Sequence, residues 1–286
     1  MIIGGIPSSS RRGLPVMDEH KISFLDEISR RYAFQRSLAL DAPYEYKGVT
    51  FYPVPLERII EFYICIDILK VRQERTKDKK LMKLPYLWFL CYAFENWEKY
   101  ERSDFGVYIP MLYALLELVT RGNDIEIEVE HKENGNFKKC VLKINGVEFN
   151  YKDFMEIRQI IFAQAGIEHS DEFINADTEK AIFEGREYEL RKSGYVPPNL
   201  ENLIDILAMY LHKSVSELVK DFSIRKFNNI IKYMSRFEEY KLLKGGEYTG
   251  MVTFKEKIPH WMSGHEKEDI LKGQNTDYRN SNLMKV

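Results

Sequence analysis

Cysteine is scarce in this sequence, charge is balanced, and long apolar runs are missing. The three cysteines, Cys65, Cys91 and Cys140, are odd in number, far apart and never in C-x-x-C spacing. This excludes a disulfide framework and a thiol-rich zinc site, and predicts reduced, buried thiols in a reducing cytoplasm. With 42 Lys and Arg against 44 Asp and Glu, the formal charge is −2, so nothing draws the whole chain toward a polyanion or an anionic membrane. The longest apolar run, Leu84 to Phe94, is well short of the roughly 20 residues that cross a bilayer. Met1-Ile2-Ile3-Gly4-Gly5-Ile6-Pro7 lacks the basic and apolar regions of a secretory signal. There is no G-x-S-x-G, H-E-x-x-H, P-loop or dinucleotide fingerprint, and Gly245-Gly246-Glu247-Tyr248-Thr249-Gly250 lacks the Lys-Ser/Thr that cradles phosphate. His260 and His265 are five apart with Gly264 between them, a spacing that does not stack two rings on one helix face. No catalytic residue, metal ligand or cofactor contact is predicted, and the chain is not expected to be an enzyme.

What is present, 44% hydrophobic residues with 30% charged, suffices for a sizeable core. The pattern along the chain predicts a mainly helical α+β protein: a helical core, a small three-stranded antiparallel meander, and extended N- and C-terminal arms. Residues 1–43 read as an N-terminal arm and first helix, the helix running from Ser23 to about Leu40. Residues 44–123 read as the first part of the helical core. There Tyr44 to Pro55 is extended, with a turn at Lys47-Gly48, and Pro55 opens a helix that is apolar all round and so expected to be central and buried. Two more helices follow, about Pro85 to Tyr100 and about Ile109 to Arg121, the latter closed by Gly122.

At Asp124 the period changes to two, and residues 124–150 read as the meander, with turns at Asn134-Gly135 and Asn145-Gly146. Glu126, Glu128 and Glu130 are placed to pair across its exposed face with Lys138, Lys139 and Lys143. Residues 151–244 read as the second part of the helical core. It holds a helix capped by Asn150, a short helix near Asp177 to Glu184, a helix after Pro197-Pro198-Asn199, a capping box at Ser214 to Glu217, and a long helix capped by Ser223 and closed by Gly245-Gly246. Residues 245–286 read as a C-terminal arm in which Tyr248, Met251, Phe254, Trp261 and Tyr278 are isolated apolar anchors. Aromatic side chains in polar segments bury much area for little rotamer entropy, and methionine is likewise enriched at interfaces, which makes these five the predicted partner contacts.

Two constellations carry a different reading. From Lys70 to Lys83 the chain is strongly basic but has no interleaved aromatics, as in a solvated helix end and loop. The capped helix before Phe222 and the longer one bearing Arg225, Lys226, Asn228, Asn229, Lys232 and Arg236 imitate a helix-turn-helix reading head. The neutral total charge, with Asp221, Glu238 and Glu239 nearby, argues against nucleic acid as a partner.

Four segments carry a family likeness: Phe51-Tyr52-Pro53-Val54; Phe154-Met155-Glu156-Ile157-Arg158-Gln159-Ile160-Ile161; Ser223-Ile224-Arg225-Lys226-Phe227-Asn228; and Gly250-Met251-Val252-Thr253-Phe254-Lys255 followed by His260-Trp261. In these the chain resembles proteins encoded in the tail and baseplate modules of large bacteriophages, a group that includes tail-assembly chaperones. The resemblance implies a non-enzymatic tail or baseplate component, present in several copies in a symmetric assembly, that binds neighbouring tail proteins through its arms. Its place would be the virion tail, and the host cytoplasm during assembly. The alternatives are a tail-assembly chaperone for a tape-measure-type client, absent from the mature particle, and a helix-turn-helix protein.

Overall fold

Eight α-helices and two small antiparallel sheets carry the described residues, which are 19–76, 78–122, 124–133, 137–167, 169, 184–185, 188, 192, 194, 196, 198–250 and 258–262 of this computed structural model. The helical majority and the three-stranded meander are as the periodicities predict; both extreme ends, and most of the short helix expected near Asp177, lie outside these residues. The chain forms two units, Met1–Pro197 with Lys213–Lys226, and Pro198–His212 with Phe227–Val286.

In the first unit α1 (Glu19–Leu40) begins earlier than Ser23 and ends at Asp41, whose left-handed φ of 53° turns the chain. The extended segment after it folds on itself as β1 (Tyr44–Tyr46) and β2 (Val49–Phe51). Lys47 (φ 52°) and Gly48 (φ 81°) supply the two positive φ values that a tight hairpin turn requires. Past β2 the Leu56 N–H donates to the Phe222 carbonyl at 2.8 Å and the Ile224 N–H donates to the Val54 carbonyl at 2.9 Å. A strand-like pairing thus joins chain segments more than 160 residues apart through the Pro55–Ser223 bridge.

The helix opened by Pro55 starts as one turn of 3-10 helix (Leu56–Arg58) and continues as α2 (Ile59–Ile66). It is not buried all round: Ile59, Phe62, Cys65 and Ile66 are buried, whereas Ile60 and Ile64 are more than half exposed. An apolar composition says how much surface seeks cover and not whether a neighbour supplies it. The central position belongs to α3 (Tyr86–Glu95), where Leu87, Phe89, Leu90, Cys91, Tyr92 and Ala93 are all buried. One side of α3 joins a run of rings, Phe154 on Tyr86 (6.3 Å), Tyr86 on Phe89 (6.0 Å), Phe89 on Tyr108 (6.1 Å) and Tyr108 on Phe105 (5.3 Å). The opposite side carries Trp88 and Tyr92, which meet Phe137 edge-on at 6.0 and 5.7 Å. Helix α4 (Tyr108–Thr120) ends with Arg121 and Gly122 both at positive φ, as the Gly122 stop predicts.

The meander is β3 (Ile125–His131), β4 (Phe137–Ile144) and β5 (Val147–Phe149), paired in that order. Its outer face holds the expected charges: Glu128 takes Lys139 at 3.1 Å and Lys143 at 3.0 Å, and Lys138 meets Glu130 at 3.0 Å. Helix α5 (Tyr151–Gln164) begins at a full capping box, Asn150 accepting from the Asp153 N–H and Asp153 accepting from the Asn150 N–H. Asp153 also receives Lys47 Nζ at 2.6 Å and the Tyr46 hydroxyl at 3.2 Å, tying the hairpin to α5.

Burial opposes ionisation of Asp153, but Lys47, the Asn150 N–H and Tyr46 overcome it and hold the carboxyl below its ordinary range. Its stabilising contribution is complete above the unfolded aspartate range, near pH 4, and is lost as pH falls through the lowered folded value. Asp153→Asn should cost about 1–2 kcal/mol at neutral pH. It should also flatten the loss of stability below about pH 4, as followed by urea unfolding across that range.

Candidate functional site

The second unit contrasts with the first in how little of its apolar surface is covered. Helix α6 (Leu200–Tyr210) is capped by Asn199, whose side chain accepts from the Asn202 N–H at 2.8 Å. It buries Leu207 and Ala208 but exposes Ile206, Met209 and Tyr210, an i, i+3, i+4 set on one face. Helix α7 (Val215–Asp221) belongs to the first unit and starts at the predicted capping box of Ser214 and Glu217. Helix α8 (Ile224–Tyr248) runs on into the second unit. Phe227 is its last buried residue; the stripe continued by Ile230, Ile231, Met234 and Phe237 is only half covered.

Gly245-Gly246 does not close α8. A helix interior tolerates glycine at a cost of about 1 kcal/mol each, and the Lys244–Glu247 pair at 2.6 Å spans the two. The stop falls on Gly250 at φ 68°, where its N–H reaches the Glu247 carbonyl at 3.2 Å. Tyr248, predicted to lie in an arm, is therefore the last helical residue and is 84% exposed. Trp261 returns to its own unit: its ring meets Phe237 at 5.1 Å, His260 meets Tyr240 at 5.2 Å, and Ile258 beside them is buried. Met251, Phe254 and Tyr278, the other predicted contacts, lie outside the described residues.

Together these elements form a groove of about 270 Å³ lined by Tyr210, Ile230, Tyr233, Met234, Phe237 and Trp261, with no charged residue among them. Sequence reasoning placed Trp261 in an interface but missed the helical half of it. That half has no distinctive signal in the chain: Ile206, Met209 and Tyr210 widen the apolar surface of α6, but nothing local tells which part of it a neighbour covers.

Clefts of the first unit are of another kind. One of about 520 Å³ is lined by Asp67, Lys70, Arg72, Arg102, Asp104, Tyr108 and His169, with Lys70 on Asp67 at 2.9 Å and Arg102 on Asp104 at 2.7 Å. Arg102 beside Asp104 holds that carboxyl down, while burial and Asp104 hold the Tyr108 phenol up. Both shifts run away from neutrality, opposite to what a general acid or base at pH 7 needs. Among the described residues no three His, Cys, Asp or Glu side chains converge on a metal position.

The helix pair that imitates a reading head spends its N-terminal contacts inside the first unit. Phe222, Ser223 and Ile224 are buried, and the Ser223 hydroxyl donates to Asp41 at 2.8 Å. Arg225 donates to the carbonyls of Leu38 and Ala163, and Lys226 Nζ lies 4.4 Å over the Phe222 ring. Ser223 and Arg225, at the end by which a recognition helix enters a groove, are thus engaged within the chain.

Compared with known families, residues 191–266 match the model of the YomV second domain, a phage-derived family. That match spans α6, α7, α8 and Trp261. Neither the curated proteins nor the solved structures gave a match. No described helix is long and apolar enough to cross a membrane.

Proposed function

We propose that this chain is a non-enzymatic bacteriophage structural component of the tail or baseplate, which docks on neighbouring protein subunits through the apolar face of α6 and α8 and the residues after Tyr248. One observation carries the reading: among the described residues, exposed large apolar side chains are denser in the region matched by a phage-derived family than in the rest of the chain. Two helices and the turn after them that leave Met209 at 73%, Leu242 at 77% and Met262 at 66% exposure keep apolar surface that a partner would remove from water.

The test replaces two exposed anchors of this face, Met209 at 73% and Tyr233 at 48% exposure. The double variant Met209→Glu, Tyr233→Glu should fold normally, because exposed substitutions stay within about 0.5 kcal/mol each. Burying a charge at two contact points should lower incorporation into purified particles at least about tenfold. Normal incorporation of a folded variant would overturn the reading. The uncharged groove also favours a second reading, a tail-assembly chaperone gripping the apolar stripe of a helical client. Mass spectrometry of purified particles separates the two: a component is found there, whereas a chaperone is needed for tails but absent from them.

A further inference from the structure

Cys91 and Cys140 are far apart in the chain, and the fold brings their sulfur atoms to 3.6 Å, van der Waals contact, with both residues 2% exposed. The spacing between their elements is fixed on either side of the sulfurs. Trp88 Nε1, one helical turn before Cys91, donates to the Cys140 carbonyl at 3.1 Å, and Phe137, three residues before Cys140, lies against Trp88 and Tyr92. We propose that Cys91 and Cys140 are a disulfide-forming pair, converted by a small peroxide into a covalent staple between α3 and β4.

The chemistry closes without a bound cofactor. One thiolate attacks the peroxide O–O bond, giving a sulfenic acid and releasing hydroxide, which takes up the proton that the thiol gave up. The second sulfur then attacks the sulfenic sulfur, forms the S–S bond and expels water. The net change is two thiols and one peroxide to one disulfide and two waters. The sulfurs must approach by about 1.5 Å to reach bonding distance. Cys65, on α2, is outside this contact.

The neighbouring thiol and burial together hold the Cys91 thiol up, so thiolate is scarce in the closed fold. Oxidation is therefore gated by local opening, and its rate should rise with pH and in urea too dilute to unfold the chain. The staple closes a loop between residues 49 apart and should raise Tm by about 5–10 °C, reversibly with dithiothreitol.

The experiment exposes the full chain, purified in reduced form, to hydrogen peroxide. The expected result is a loss of two hydrogens, a peptide joining Cys91 to Cys140 under non-reducing digestion, and the upward shift in Tm. Cys65→Ala should retain all three; Cys140→Ala and Cys91→Ala should lose them. Recovery of Cys91 and Cys140 on separate peptides, whether as free thiols or as sulfinic and sulfonic acids, would overturn the proposal, as would a crosslink through Cys65. The wild-type peptide map decides the matter even if a cysteine variant fails to fold.

Discussion

Phe89→Ala is expected to lower the unfolding free energy by about 3–5 kcal/mol, measured by urea denaturation, while Phe89→Leu costs less than half as much. The ring is fully buried and lies between Tyr86 and Tyr108, in the middle of the aromatic run that links α5, α3 and α4. Its removal leaves a void that two rings, each held by other contacts, cannot readily fill: the Tyr86 hydroxyl donates to the Ile68 carbonyl at 2.7 Å and the Tyr108 hydroxyl to Asp104 at 3.2 Å. Because α3 also carries Trp88 and Tyr92 on its other side, loosening it should reach the meander. Amide exchange around Cys140 and Val141 should quicken in the alanine variant beyond what the global loss explains. A cost under about 1.5 kcal/mol would show that α3 is not the hub of the first unit.

Local chemistry was the legible part of this fold. Asn150, Asn199, Ser214 and Ser223 cap helices because each offers a short oxygen to an N–H at the right offset, and that offset is written in the chain. The meander was legible because a period of two admits one sheet face inward, and Asn145-Gly146 adopts the positive φ values its turn needs. What stayed hidden depends on the neighbours. Composition alone places the α2 pair Ile60 and Ile64 in the interior, although exposure is decided by what packs alongside. The turn at Lys47-Gly48 is legible in its glycine and takes the two positive φ values, whereas the pairing of Tyr44–Tyr46 with Val49–Phe51 on either side of it has no local signature. Gly245-Gly246 reads as a stop by rule, yet the stop came where a glycine first met a positive φ, at Gly250. The candidate interface was half legible for the same reason: Trp261 stood out in a polar context, whereas the exposed face of α6 resembled any other amphipathic helix until its cover was found to be lacking.

Arg158 is the feature the pattern concealed most completely, and it sets the second large effect. In Phe154-Met155-Glu156-Ile157-Arg158 it stands four residues after Phe154 and three before Ile161, a charge set on the helix's apolar face, and it is 4% exposed. Its Nε donates to the Leu69 carbonyl at 2.7 Å, and its guanidinium lies 2.8 Å from His169 Nε2 and 4.6 Å from the Tyr86 ring centre. Leu69 lies near the end of a 3-10 turn (Asp67–Lys70), where carbonyls have run out of helical partners, so the arginine meets a need that the turn creates. Arg158→Ala removes this donor and the packed side-chain stem together and should cost about 3 kcal/mol. Arg158→Met restores the stem but leaves the carbonyl without that donor, at about 1–2 kcal/mol. Arg158→Lys keeps the charge yet loses the planar fork that reaches the carbonyl and the imidazole at once, and should fall between them. The order Ala, Lys, Met, from most to least destabilised in chemical unfolding, separates the hydrogen bonds from the packing. A methionine variant as stable as the wild type would mean that the guanidinium's bonds only repay its own desolvation, and that volume alone is what the site requires.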